Sequence, residues 1–112
     1  MTIKLSHLIK FVADMDKAVA FHRDVLGLKL KFASPEWSEF ATGETTLALH
    51  PASSDHPAGS AMAGYWTDDL KAFYAKRDQL GVTFTSPPTQ THGALMAHFR
   101  DIDGALCTIE SR

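Results

Sequence analysis

The residues from Asp14 to Leu30 recur in a weaker copy 54 positions later, from Asp68 to Phe84. Seven of the 17 aligned positions are identical, where average residue usage gives roughly one match by chance. Each copy places an aspartate at a helix start, an apolar stripe at helical spacing, and a glycine at the helix end before a strand. Because the period is half the chain, it predicts two similar modules rather than a solenoid of many short repeats.

Alternating apolar residues on both sides of each repeat predict strands. In each half, one strand precedes the helix and three strands follow it. The second helix is predicted over 69–80, and the sixth strand is expected to end before Pro87 and Pro88 because proline cannot donate to a sheet ladder. The predicted strands are 5–12, 28–32, 37–41, 45–50, 61–66, 82–85, 94–99 and 105–110.

The segment from Pro51 to Gly59 lacks large apolar residues and is rich in turn formers, which indicates a connection between the two halves. A chain of 112 residues is long enough for one core. We therefore predict a single domain, with a first module at 1–52, a linker at 53–59 and a second module at 60–112.

Charge and composition exclude several classes of function. The net charge is -2, and the 11 basic residues are scattered among 13 acidic ones, so the sequence offers no basic stripe for nucleic acid. The apolar start, Ile3 to Val12, is too short for a membrane span and is interrupted by charged residues. We expect a soluble, cytoplasmic protein. The single cysteine, Cys107, agrees with a reducing compartment and is either a small buried residue or a reactive thiol.

Three local signatures resemble the vicinal oxygen chelate superfamily, which includes glyoxalase I, extradiol dioxygenases and the fosfomycin and bleomycin resistance proteins. They are His7 on the first strand, the helix end FHRDVLG (Phe21–Gly27) and the turn FRDIDG (Phe99–Gly104). The resemblance implies an α+β fold in which two βαβββ modules form a curved eight-stranded mixed sheet around a pocket, with the helices outside. It also implies homodimers, because small members of this superfamily usually pair edge to edge.

Enzymes of this superfamily commonly hold a divalent metal, such as Zn, Ni, Mn or Fe, with two histidines and one or two glutamates. By resemblance, His7 occupies the first ligand position, and it either ligates a metal or hydrogen-bonds a neighbour. The other three positions fall at residues that do not replace the ligands well: Ala48, Ala61 or Met62, and Thr108. His50 and Glu110 each lie two residues further along the same strand face, so His7, His50 and Glu110 form a possible shifted metal site. The alternative is that no metal binds.

Aromatic and apolar side chains near the implied cavity indicate a small-molecule site. Trp37 is the residue expected to stack on a ligand, although an aromatic residue on a strand can also complete a core. The candidate ligand-binding residues are Trp37, Phe11, Phe32, Met62, Met96 and His98, and the candidate general bases are Glu110 and His98.

Two functions follow from the resemblance. The first is binding of a small hydrophobic or aromatic molecule in a pocket whose metal site is degenerate. The second is a metal-dependent lyase, isomerase or dioxygenase reaction. A structural partner module is a third, less favoured interpretation. Loss of three of the four expected ligands favours the first function.

Overall fold

The computed structural model describes residues 1–111 and divides into two compact units. One unit consists of Met1–Leu5 and Met62–Arg112, and the other consists of Ser6–Ala61. The first strand crosses this division, because its first three residues belong to one unit and the rest to the other. The partition of the chain into one domain with a linker at 53–59 stays a prediction.

Eight strands and three short α-helices are found within residues 1–111, and each half follows the predicted order of one strand, one helical segment and three strands. The strands are β1 Ile3–Val12, β2 Lys29–Phe32, β3 Ser38–Ala41, β4 Thr46–Pro51, β5 Ala61–Thr67, β6 Thr83–Thr91, β7 Ala94–Arg100 and β8 Leu106–Ser111. The helices are α1 Met15–Ala20, continued by a π-helical segment at Phe21–Val25, α2 Leu70–Ala75 and α3 Arg77–Leu80. None of these helices is long and apolar enough to cross a membrane.

The strands pair in the same way in the two units. In the Ser6–Ala61 unit the order is β2-β3-β4-β1, and in the other unit it is β5-β8-β7-β6. β1 and β4 are parallel, as are β5 and β8, whereas the remaining pairs within each unit are antiparallel. The predicted class, α+β with two βαβββ modules in an eight-stranded mixed sheet, is confirmed. The predicted pocket stays a prediction.

The core of the Ser6–Ala61 unit lies between its strands and α1. Val19 of α1, Phe40 of β3 and Leu49 of β4 are buried together, and Leu47 packs against them. Because side chains alternate along a strand, Ala48 and His50 point to the opposite face of the sheet from Leu47 and Leu49. This opposite face carries the candidate site.

Both helical segments begin at an aspartate N-cap, as predicted. Asp14 Oδ1 accepts the backbone N–H of Lys17 at 3.1 Å, and Asp69 Oδ1 accepts that of Ala72 at 3.0 Å. The repeat places the second cap at Asp68, so the actual cap comes one residue late. Asp68 instead accepts the backbone N–H of Thr2 at 2.9 Å, and this bond lowers the pKa of the Asp68 carboxyl.

Between its N-cap and its final glycine, the first copy has one residue more than the second copy. There the chain forms the π-helical segment, whose wider turn is closed by the bond from Leu26 N–H to Phe21 C=O at 3.1 Å. The two helix-ending glycines therefore stay equivalent, with φ of 70° at Gly27 and 71° at Gly81. Both glycines adopt the left-handed conformation that ends a helix without steric cost.

The predicted end of the sixth strand is wrong. β6 continues through Pro87 and Pro88 to Thr91, whereas the sequence indicated a stop before the prolines. Within residues 1–111, β6 is the last strand in the order and has β7 as its one neighbour, so its prolines do not remove bonds to a second strand. The pairing nevertheless shifts on both sides of Ser86. An edge position thus allows two prolines within a strand.

The core of the other unit contains Leu70, Phe73, Ala97 and Ile109. Cys107 is also buried, with 4% of its surface exposed. Its predicted role as a small buried residue is confirmed, and burial raises the pKa of the Cys107 thiol. A thiol held protonated in this way is a poor nucleophile, which argues against a reactive role.

Candidate functional site

His7 lies on the sheet face that is opposite the α1 core, as the alternation of β1 predicts. The register of β1 against β4 pairs His7 with Thr46 and Phe11 with His50. The His7 side chain is 24% exposed, and its Nδ1 lies 3.0 Å from the Ser6 hydroxyl. Its Nε2 points toward a carboxylate that the sequence analysis did not single out.

That carboxylate is Glu39 of β3, whose side chain is 16% exposed. Its Oε2 accepts the indole N–H of Trp37 at 2.7 Å and lies 3.7 Å from His7 Nε2. Its Oε1 lies 3.3 Å from the ammonium of Lys31. A hydrogen bond to an ionised acceptor is short and strong, whereas an exposed lysine pair contributes little. The main effect of the carboxylate is therefore to fix the orientation of the indole, and its pairing with Lys31 is secondary.

Glu39 stands directly opposite Ala48 in the antiparallel pair of β3 and β4. Residues opposite each other in such a pair share a face. Ala48 is the residue that resemblance assigned to a lost glutamate ligand, so a carboxylate is present one strand away from that place. Alternation within the predicted third strand already put Glu39 and Trp37 on one face, but their alignment with β4 depended on the loop length.

Trp37 is half-buried and lies between two imidazoles. Its ring centroid is 6.1 Å from that of His7 and 6.2 Å from that of His50. The Ser34 hydroxyl accepts the backbone N–H of Trp37 at 3.1 Å and donates to its carbonyl at 2.6 Å. With both its backbone and its indole N–H fixed, Trp37 presents a ring of set orientation beside polar groups. We call His7, Trp37, Glu39 and His50 the indole–imidazole cluster.

His50 is exposed, and its Nδ1 lies 2.8 Å from the carbonyl oxygen of Pro51. Beneath it, Phe11 is 4% exposed and makes an edge contact with the His50 ring at 5.5 Å. The same phenyl ring stacks on His56 at 4.5 Å. Phe11, a predicted ligand-binding residue, thus supports the imidazoles from below. Phe32, also predicted, is exposed on β2 and pairs with Glu39 in the strand register.

The remaining predicted residues lie in the other unit. Glu110 of β8 lies opposite Trp66 of β5 on one side and opposite Met96 of β7 on the other. His98 Nδ1 and the Ser86 hydroxyl form a hydrogen bond of 3.2 Å. Met62 is half-buried on β5. The roles of Met62, Met96, His98 and Glu110 in ligand binding or catalysis stay predictions.

The side chains at the four implied ligand positions offer few donors for a metal. Of these positions only His7 provides a good donor, and no group of three or more histidine, cysteine, aspartate or glutamate side chains that could hold a metal ion occurs within the described range 1–111. The residues do not fit the four-ligand arrangement. The nearest approach of two donors in the cluster is the His7–Glu39 pair. The shifted set of His7, His50 and Glu110 draws on both units and stays a prediction.

A cavity of about 440 Å³ is present on the α1 side of the Ser6–Ala61 unit. None of the predicted ligand-binding residues lines it. It adjoins the cluster only through Ser34, which holds the backbone of Trp37. Its lining residues are Met15, Asp16, Val19, Arg23, Ala33, Ser34 and Pro35.

Comparison with known families gives a match over almost the whole chain. The sequence model described as Glyoxalase/Bleomycin resistance protein/Dioxygenase superfamily matches residues 4–109. That range includes every member of the indole–imidazole cluster. No curated protein sequence matches the chain significantly.

Solved structures share the fold at low sequence identity. A hypothetical protein of Bacillus halodurans C-125 has a TM-score of 0.80 and 17% identity, covering 100% of this chain and 96% of that one. A variant of Streptomyces coelicolor methylmalonyl-CoA epimerase in complex with 2-nitronate-propionyl-CoA has a TM-score of 0.76 and 17% identity, covering 96% of each chain. A superfamily member from Vibrio splendidus 12B01 has a TM-score of 0.68 and 15% identity, covering 98% of each. At these identities the likeness shows the fold alone.

Proposed function

Because this chain belongs to the glyoxalase/bleomycin resistance protein/dioxygenase superfamily, we propose that it binds a small hydrophobic or aromatic molecule at the indole–imidazole cluster. The superfamily fold hosts several activities, so the function must be argued from the site. The observation that carries the proposal is the placement of Trp37, whose ring lies near His7 and His50 while Glu39 holds its N–H. Small-molecule sites combine aromatic side chains with a few placed polar groups, and Trp37 with its neighbours offers both.

The two tryptophans of the chain, Trp37 and Trp66, allow a direct test. Trp66→Phe leaves Trp37 as the only indole emitter, and Trp37→Phe leaves Trp66. We expect a flat quencher such as 4-nitroanisole to quench Trp37 emission along a saturable curve. Quenching of Trp66 should be weaker. Linear quenching of equal slope in both variants would indicate collisions alone and would contradict the proposal.

A metal-dependent lyase, isomerase or dioxygenase activity is the second candidate. The observation in its favour is the 3.7 Å separation of His7 Nε2 and Glu39 Oε2, which brings a nitrogen and an oxygen donor together. The ligands predicted from the sequence are His7, His50 and Glu110, with Glu110 or His98 as the general base, and the His7–Glu39 pair adds Glu39 as a candidate ligand.

Metal analysis of the purified chain separates the two candidates. Stoichiometric metal that disappears in both His7→Ala and Glu39→Gln would support the enzyme. Glu36→Gln is the matched control, because Glu36 is an exposed glutamate three residues away. A folded chain that lacks metal and still gives saturable quenching would support the binding protein.

We also propose that the chain forms a homodimer. Support comes from apolar side chains exposed on one helical end of the Ser6–Ala61 unit, where Phe21 is 49%, Val25 68% and Leu26 53% exposed. Contiguous exposed apolar surface is typical of interaction sites. Sedimentation should give twice the monomer mass, and Val25→Lys should lower it. Ile102→Lys, in a turn where the side chain is 99% exposed, is the control. A monomeric wild-type chain would contradict the proposal.

A further inference from the structure

We propose that the ligand of the indole–imidazole cluster carries an O–H or N–H donor on its aromatic ring, and that His50 Nε2 accepts the hydrogen bond from it. This inference rests on the proposed function and adds the chemical class of the ligand. A carbonyl oxygen can only accept, so the 2.8 Å contact between His50 Nδ1 and the Pro51 carbonyl requires the proton to be on Nδ1. In the neutral ring, Nε2 is then an acceptor.

The donors nearest Trp37 face the carboxylate of Glu39. The indole N–H of Trp37 is directed at Glu39, and the Lys31 ammonium lies between Glu39 and the Thr46 hydroxyl. His7 places its Nε2 beside the same carboxylate. His50 Nε2, whose ring is exposed, is thus an acceptor of the cluster that can meet a ligand.

The acceptor at His50 Nε2 discriminates against some ligands. Binding costs free energy when the ligand covers an acceptor and offers it no donor, because the acceptor loses its hydrogen bonds to water. A ring that has no donor is therefore bound less well than a ring that has one. The rings of Trp37 and His50 lie 6.2 Å apart at 80°. A ligand ring that contacts the indole therefore lies near the imidazole.

The test compares 4-ethylphenol with its methyl ether, 4-ethylanisole, because the two differ in the donor and share the ring. Dissociation constants are measured by NMR titration of the Trp37 indole signal. The quantity of interest is the ratio of the two constants in wild type and in His50→Phe. Comparing ratios removes the difference in hydrophobicity between the probes. We expect the preference for the phenol to fall about tenfold in His50→Phe, as the loss of one hydrogen bond implies.

His56→Phe is the matched control, since it replaces another imidazole that contacts Phe11. It should leave the ratio unchanged. Nitrogen-15 spectra provide a second readout, in which neutral His50 should have a protonated Nδ1 and an unprotonated Nε2.

Equal binding of both probes by the wild-type chain, a preference that survives His50→Phe, or the opposite tautomer would overturn the inference while leaving the proposed function intact. Failure of both probes to bind would remove the proposed function itself. These two failures are therefore distinguishable.

Discussion

Glu39 of β3 lies directly opposite Ala48 of β4, and its carboxylate reaches to 3.7 Å from His7 Nε2. Ala48 occupies the place where resemblance to the superfamily predicts a glutamate. The carboxylate at this place is thus supplied by the neighbouring strand rather than by β4 itself. In this position it orients Trp37 through a 2.7 Å hydrogen bond from the indole N–H.

Replacement of Glu39 by alanine should release Trp37. The indole N–H loses a charged acceptor, and hydrogen bonds to charged groups contribute about 1.5–3 kcal/mol. We expect a lower free energy of unfolding in urea and a shift of the Trp37 indole N–H signal. Glu39→Gln, which retains an oxygen acceptor, should restore most of the indole position. Glu36→Ala should leave both measurements unchanged, and an equal effect of the two alanine variants would contradict the assigned role.

His22 should prove structural rather than functional. It is buried, with Nδ1 2.7 Å from the Ala18 carbonyl and Nε2 3.3 Å from the Lys10 ammonium, an arrangement that places the proton on Nδ1. His22→Ala leaves a cavity and removes both bonds, so we expect a loss of about 2–3 kcal/mol in urea unfolding. Arg23→Ala, the exposed neighbour, should change stability little. A fully stable His22→Ala chain would show that the buried ring does not support the helix.

The turn between β6 and β7 should respond to substitution at His92. His92 and Gly93 connect the paired residues Thr91 and Ala94, with positive φ of 49° and 81°. This is the two-residue turn that favours asparagine followed by glycine. His92→Asn should raise the melting temperature slightly, whereas His92→Val should cost about 1–2 kcal/mol because a β-branched residue is strained there. Equal stability of the two variants would contradict this geometry.

Cys107 should make stability depend on alkaline pH. Burial raises the pKa of its thiol, so the folded chain keeps a proton that the unfolded chain releases at lower pH. The corresponding stabilisation is complete below the usual thiol pKa and is lost as the pH rises through the raised value. The unfolding free energy of wild type minus that of Cys107→Ala should therefore decrease from pH 7 to pH 10. A difference independent of pH would contradict the assignment.

Much of the fold could be predicted because the repeat contains the residues that begin and end each helical segment. Asp14 capped the first helix as expected, and Gly27 and Gly81 ended both helical segments in equivalent conformations. The second cap was displaced from Asp68 to Asp69, since a π-helical turn absorbs one residue only in the first copy. Such a turn has no clear signature in the residue pattern. The continuation of β6 through Pro87 depended on its position at the end of the strand order, which local sequence does not reveal.

The site was harder to predict because a sheet assembles it from several strands. The sequence placed His7 on the first strand, and Trp37 was singled out as an aromatic contact. Glu39 was missed, since its position opposite Ala48 depends on the four-residue connection between Ala41 and Thr46. The pairing register of two strands cannot be read from their separate patterns, and a slip of one residue turns every side chain of a strand to the other face.

Trp37 and its imidazole neighbours form the proposed ligand site, and the indole N–H signals test this assignment most directly. The chain has two such signals, and Trp66→Phe assigns them. Addition of 4-ethylphenol to the uniformly nitrogen-15-labelled chain should shift the Trp37 signal to a saturating limit. The shift should be smaller in His50→Phe at the same ligand concentration. A Trp37 signal that stays unmoved through the titration would contradict the account.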